Sequence, residues 1–341
     1  MDIPAKKWTK EKSPKRILAI RLQAMGDLVI TLPYLQSLRN ALPPDTKLDL
    51  LTLEENKSIP QSIELFDKIY SIRGFRNFKK QLAFTCLLLP KILLHRYDVV
   101  LDLQNNLISK IVRKAVMPYA WSEFDRFSPI AAGESTRLTI EAIGLGQNFQ
   151  ASHFKLKKEF NVKTLLKENG WDGTSSIVIL NPAGAFATRN WPLKNYVDFA
   201  KLWLDVFPAT QFLILGIGSI AAKADFFKSE LGNKLINLVN KTSPAQAFAI
   251  IQTAKFVLSE DSGLMHMAWV SGIPTLAMFG STCSDRSRPL GNHTVLLDSS
   301  DLECGNCMLE FCKYGETHCL TRYTPEIVFE KAVTLLHSVA S

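Results

Sequence analysis

Four of the six cysteines fall within sixteen residues, spaced Cys304-x2-Cys307-x4-Cys312-x6-Cys319. Four thiolates at short spacing suit one tetrahedral ion, zinc by default and iron as the alternative. A closed sulfur shell leaves no position for substrate, so the spacing predicts a structural site rather than a catalytic one. Reduced, metal-free cysteines are the competing reading. Disulfides are disfavoured in the reducing compartment that the rest of the chain suggests.

Three loops carry the other candidate chemistry. In residues 21–27 (RLQAMGD), Gly26 permits a tight turn or a close approach of the backbone to a ligand. Asp27 stands at the mouth of the next helix, where Asp is a favoured N-cap. A carboxylate after a strand also suits a general base, and both roles stay open. The loop 181–192 sets Thr188 and Arg189 among small residues just before a helix. Backbone N–H groups and a guanidinium there suit a diphosphate. An ordinary strand–helix loop with Pro192 in the first helical turn competes. In residues 259–268, Ser262 and Gly263 offer backbone donors at a helix start, and His266 follows one turn later.

Two further patterns receive the plainer reading. Gly216-x-Gly218-x-x-Ala221 after a strand invites a nicotinamide site. The acid expected about twenty residues on is missing, with Asn237, Asn240 and Lys241 in that region. Arg73, Arg76, Lys79 and Lys80 form a basic cluster, joined in the same half of the chain by Arg113, Lys114 and Arg126. A solvated face is the usual fate of such a run.

These loops need elements to position them. Buried apolar strand patterns run over 15–20, 47–53 and 97–103, then over 176–180, 211–215, 235–239, 256–259 and 274–279. Helical stretches lie between them, among them 28–42 and 193–207. Strands alternating with helices mark parallel sheets wrapped by helices. The pattern restarts after 155–171, which reads as polar and mostly helical, and after the turn cluster 172–176. The expected fold is α/β, with two doubly wound Rossmann-like domains, a boundary near 160–175, and chemistry at the carboxyl ends of the strands.

A length of 341 residues also suggests two domains. Apolar residues make up 47% and charged residues 21%, a globular composition. The longest apolar stretch, 82–94, is interrupted by Pro90-Lys91 and is too short to span a bilayer. The first sixteen residues lack the apolar core of a secretory signal. The chain is therefore expected to be cytoplasmic, with no transmembrane segment. Its net charge of +8 is uneven: residues 1–170 hold 27 Lys/Arg against 17 Asp/Glu, and residues 171–341 hold 13 against 15. The first half is suited to meeting an anion.

Residues 16–39 (RILAIRLQAMGDLVITLPYLQSLR), 97–106 (YDVVLDLQNN), the PAGAFATRNWP loop and 259–282 (SEDSGLMHMAWVSGIPTLAMFGST) together resemble glycosyltransferase family 9. That family contains the ADP-heptose:lipopolysaccharide heptosyltransferases, and the resemblance covers about residues 16–335. It implies a GT-B fold, two Rossmann-like domains facing across a cleft. Residues 1–165 would bind the acceptor and 172–324 the nucleotide sugar, and 325–341 would form a C-terminal helix able to pack on either domain. Asp27 would be the catalytic base. Thr188, Arg189, Asp261, Ser262, Gly263 and His266 would bind the donor, with Gly26, Arg73, Arg76 and Arg126 on the acceptor side. The cysteine segment is similar to one in relatives that glycosylate autotransporter proteins and hold iron with four cysteines. The implied activity is inverting, metal-independent transfer of heptose from ADP-heptose to an anionic inner-core glycolipid. The enzyme would be peripheral at the inner membrane face, with no catalytic cofactor and no nucleic-acid partner. Another nucleotide sugar, a protein acceptor, and a non-catalytic binding module organised by the cysteines' metal are the alternatives.

Overall fold

The computed structural model describes residues 3–152, 154, 156–157 and 160–340. Lys155, Lys158 and Glu159 of the stretch expected to be helical, and Ser341 of the expected final element, lie outside the described residues. The chain divides into two compact units, Met1–Lys158 and Glu159–Ser341.

Unit 1 contains strands β1 (Ala5–Lys6), β2 (Arg16–Ile20), β3 (Lys47–Leu53), β4 (Lys68–Ile72), β5 (Val99–Asp102) and β6 (Ala120–Glu123). Its helices are α1 (Met25–Ala41), α2 (Ser58–Gln61), α3 (Phe78–Leu93), α4 (Leu107–Val116) and α5 (Ala132–Glu141). The strands form one sheet of order β1-β6-β5-β2-β3-β4. All neighbours are parallel except β1, which runs antiparallel to β6. Parallel strands are covered on both faces and so read as continuous apolar runs. Ile17 to Ile20 and Val99 to Leu101 are accordingly fully buried. The strand order turns between β2 and β5, a switch point where the loops after the two strands diverge and leave room for a ligand.

Helix α1 starts at Met25, three residues before the expected 28, so Gly26 and Asp27 lie in its first turn rather than before it. The connecting turn therefore ends at Ala24. Helix α3 continues through Pro90, where the sequence shows only an interrupted apolar stretch.

Unit 2 contains β7 (Ser176–Asn181), β8 (Thr210–Ile214), β9 (Leu235–Asn237), β10 (Phe256–Glu260), β11 (Thr275–Met278) and β12 (Thr294–Leu297). Its helices are α6 (Val162–Glu168), α7 (Leu193–Val206), α8 (Ala221–Leu231), α9 (Pro244–Ile251), α10 (Gly263–Val270), α11 (Ser284–Ser287), α12 (His318–Thr321) and α13 (Pro325–Ala340). The sheet order is β12-β11-β10-β7-β8-β9, parallel throughout, with its switch point between β7 and β10. The core under α7 is aromatic, with Trp191, Tyr196, Phe199, Trp203 and Phe256 buried together. Helix α13 packs on α7 and β12, placing Phe329 6.3 Å from both Phe199 and Trp203.

The units divide a few residues before the expected 165–172 boundary because α6 already belongs to unit 2. It packs on α9, and the Gln211 side chain ties down the following turn, donating to Gly170 O and accepting from Asp172 N at 2.9 Å each.

Candidate active site

In unit 1 the loops after β2 and β5 are tied together at the switch point. Gln104 Oε1 accepts the N–H groups of Leu22 and Gln23, both at 2.9 Å. The buried Arg21 guanidinium donates to Leu103 O and lies 4.9 Å from the Phe124 ring centre. Its other terminal nitrogen meets Asp27 Oδ1 at 3.1 Å. The second Asp27 oxygen accepts Ala24 N at 2.9 Å, so Asp27 closes the first turn from the third helical position rather than as N-cap. With both oxygens anchored, the carboxylate still keeps 39% side-chain exposure. It is held rigidly and open to a ligand, which a general base requires.

The expected acceptor cations are spread along unit 1. Burial lowers the Arg21 pKa, Asp27 opposes it, and Arg126 lies near enough to add to the lowering. Arg73 and Arg76 lie in the turn after β4, exposed. Arg73 acts on Glu54, whose carboxyl is held low chiefly by its bonds to Lys57 and Ser71. Gly26 occupies the first turn of α1 beside Asp27.

In unit 2 the switch point gathers the loops after β7, β10 and β11. Asn181 Nδ2 donates to Ser259 Oγ and Ser262 Oγ, each at 2.7 Å. Ser262 is the N-cap of α10, as its side chain accepts Met265 N. Arg189 ends a short 3-10 turn with its guanidinium 3.3 Å from Asp261 and stacked over Phe186 at 4.4 Å. Its Nε is buried with no acceptor among the described residues. A buried guanidinium N–H left unpaired is costly, and an anion would satisfy it.

Other predicted donor residues are placed differently. The Thr188 hydroxyl is buried and committed, lying 2.8 Å from Ser281 Oγ and donating to Leu309 O. Ser281 N in turn donates to Thr188 O at 3.2 Å. Gly280 allows this contact, since a Cβ there would sit 2.0 Å from Thr188 O. Gly263 opens α10 but is not demanded by packing, because a Cβ there meets nothing within 4 Å. His266 is buried one turn in, edge-on to Trp269.

The residue that most organises this site was missed by the sequence reading. Glu260, at the end of β10, is fully buried and accepts Gly184 N through one oxygen and Trp191 N through the other, both at 2.7 Å. One carboxylate thus fixes both ends of the loop that carries Thr188 and Arg189. Lys223 holds the same loop through Pro182 O at 2.5 Å and Asn190 Oδ1. Burial pushes the Glu260 carboxyl up to about 7, against Lys223 and the two backbone donors. Burial likewise lowers Lys223. The one signal in the sequence was an acid closing an otherwise apolar strand.

The structure does not support the metal expectation. Cys304, Cys307, Cys312 and Cys319 line a single cavity of about 560 Å³ together with Thr188, Ser281 and His318. All four thiols are free, and among the described residues no group of three or more His, Cys, Asp or Glu is placed to hold a metal ion. Tetrahedral ligation needs four sulfurs, each about 2.3 Å from one point. Here Cys307 is exposed between two left-handed residues, Asn306 and Met308. The Cys312 thiol donates to Glu316 O at 2.8 Å. Burial, followed by the neighbouring thiols, pushes Cys319 up. Among the described residues the donor set gives zinc or iron no support, nor therefore the non-catalytic module organised by a metal.

Comparison with known proteins gives concordant results. A family model described as glycosyltransferase family 9 (heptosyltransferase) matches residues 88–318. The chain is 31% identical over 194 residues to a lipooligosaccharide heptosyltransferase 2 of Campylobacter jejuni, covering 54% of this chain. It spans 59% of the length of that relative. It is 24% identical to a lipopolysaccharide heptosyltransferase 1 of Pseudomonas aeruginosa over 94% of this chain and 98% of the relative. Among solved structures, the ADP-heptose lps heptosyltransferase II of E. coli superposes with a TM-score of 0.74 at 18% identity, over 96% of this chain and 100% of the other. The two doubly wound parallel sheets described above are thus those of a GT-B fold.

Proposed function

The chain belongs to glycosyltransferase family 9, and from that membership we propose that it moves a heptose from ADP-heptose to an inner-core lipopolysaccharide acceptor. The observation that carries this reading is the buried, unpaired Arg189 Nε at the switch point of the unit 2 sheet, in a family of heptosyltransferases.

The proposed reaction inverts the anomeric centre. An acceptor hydroxyl attacks C1 of the heptose and its proton passes to the Asp27 carboxylate. The C1–O bond to the diphosphate breaks, and ADP leaves with the electron pair. Charge builds on the diphosphate as an oxocarbenium-like sugar forms, so donors aimed at it act most strongly in the transition state. Arg189 and the free N–H groups at the start of α10 would carry that charge in place of a metal ion. Asp261 holds the guanidinium until the donor arrives. Thr188 and Ser262 shape the loops rather than touch phosphate, through the bonds given above. Unit 1 would take the acceptor and unit 2 the donor, with Arg73, Arg76 and Arg126 meeting the anionic glycolipid from the cytoplasmic face of the membrane.

The test supplies the purified chain with ADP-heptose and heptose-free lipopolysaccharide, following ADP release and a mass gain of one heptose. Turnover with both supports the reading. Turnover only with another nucleotide sugar, or only with a protein acceptor, replaces that half of it. Absence of ADP binding and of turnover with any nucleotide sugar contradicts it.

A further inference from the structure

Helix α3 of unit 1 is buried on one side only. Gln81, Thr85 and Ile92 face the unit, while Leu87 is 76% exposed and Leu94, the residue after the helix, 79%. At about 100° per residue, Ala83, Leu87, Pro90 and Leu94 fall along one outward stripe. Lys80 and Lys91 border it on one side and Lys79 on the other. Between Arg73 and Arg96 the chain has six Lys/Arg and no Asp or Glu.

The turn before the helix adds an aromatic ring held in water. Phe75 is 61% exposed and adopts φ 44°, after Gly74 at φ 128°. A left-handed backbone is uncommon for a bulky residue and costs energy. The turn is nonetheless fixed. The buried Gln81 side chain donates to Phe75 O, and Asn77 caps α3 by accepting Lys80 N at 3.0 Å. Backbone strain spent on presenting a ring outward indicates a surface that receives the ring.

We propose that α3 and the turn before it are the face by which this protein rests on an anionic phospholipid surface. Phe75, Leu87 and Leu94 enter the boundary between headgroups and acyl chains, and Lys79, Lys80 and Lys91 meet headgroup phosphates. An aliphatic stripe between lysines is the pattern of a helix lying in the interface plane, and lysine stems let the amines reach the headgroups. A second copy of this face is disfavoured, because it would set six cations against six. The stripe between the lysines is aliphatic, which suits acyl chains better than nucleic-acid bases. This goes beyond the transfer reaction, and the residues named for insertion and headgroup contact are none of those assigned to it, so its test runs without donor or acceptor and stands if the transfer reading fails.

The full chain is sedimented with vesicles of phosphatidylcholine alone, and with vesicles containing roughly one-third phosphatidylglycerol, at about 20 mM and about 500 mM salt. The anionic vesicles should bind at least about tenfold better at low salt, and that advantage should shrink at high salt. Leu87→Gln with Leu94→Gln should lower binding at least about tenfold. Lys80→Gln with Lys91→Gln should lower it roughly fivefold per lysine, at low salt only. Both variants should keep the wild-type melting temperature and ADP affinity. Equal binding to both vesicle types, no binding at low salt, or wild-type binding by the leucine variant overturns the proposal. So does a dimer in sedimentation velocity that the leucine variant dissolves, or a single-stranded nucleic acid whose affinity that variant loses.

Discussion

The Glu260 carboxylate accepts the backbone N–H of Trp191 across 69 residues of chain, at 2.7 Å, while its other oxygen holds Gly184. The two ends of the Arg189 loop are therefore fixed by one buried charge. Such a charge leaves a mark on the pH dependence of stability.

For Glu260 the folded pKa, about 7, lies above the ordinary value of 4.5. Between those values the folded chain binds more protons than the unfolded one, so this group's contribution falls as pH rises through that window. Glu260→Gln removes the titration. The stability difference between wild type and variant should shift in the variant's favour by about 3 kcal/mol from pH 4.5 to above 7. Denaturant titrations of both proteins across that range check it, and parallel pH profiles would contradict it.

Arg189→Ala should weaken ADP binding by about 10- to 100-fold, as expected for charge-assisted hydrogen bonds. It should leave the fold intact, because Asp261, the guanidinium's one charged partner among the described residues, keeps 12% side-chain exposure and can take up water. Calorimetry with ADP measures it. An unchanged affinity removes Arg189 from the donor site.

The cysteine segment should behave as reduced thiol. Overnight chelation should leave the melting temperature unchanged, and Cys307 should react first with a thiol reagent, being the exposed one. Thr188→Val frees Leu309 O and Ser281. It should destabilise unit 2 by about 1–2 kcal/mol and raise the reactivity of the other three thiols. One equivalent of tightly held metal, lost together with stability, would contradict this account.

The parts of the fold legible in the sequence were those encoded locally. The run 47–53 gave β3 with its bounds because every buried position in it is contiguous. Strand β1 was not legible. It is two residues long, and its partners, Trp121 and Ser122, lie more than a hundred positions away. Strands β6 and β12 are short and only partly buried, so their apolar signal is weak. Asp27 misled about the start of α1, because Asp is best known as an N-cap, whereas here its side chain reaches back from inside the helix. Glu260 was hidden for a different reason. Its partners are backbone N–H groups, and backbone donors carry no residue identity. The cysteine spacing satisfied the zinc pattern, but spacing does not register that a left-handed turn exposes Cys307 or that Glu316 O takes the Cys312 thiol.

The central claim is that Asp27 is the base of the sugar transfer, and Asp27→Asn tests it most directly. The amide keeps an oxygen for Ala24 N, but it turns an NH2 group toward Arg21 in place of the carboxylate oxygen and cannot take a proton at neutral pH. The measurement is kcat for ADP release with ADP-heptose and acceptor, alongside ADP affinity and melting temperature. The account predicts a fall in kcat of about 10²–10⁴-fold with ADP affinity nearly unchanged, and a melting temperature lowered by the loss of the Arg21 ion pair. Turnover within about tenfold of wild type, which is about 1.4 kcal/mol of barrier, would show that Asp27 serves only the helix and that the proton goes elsewhere.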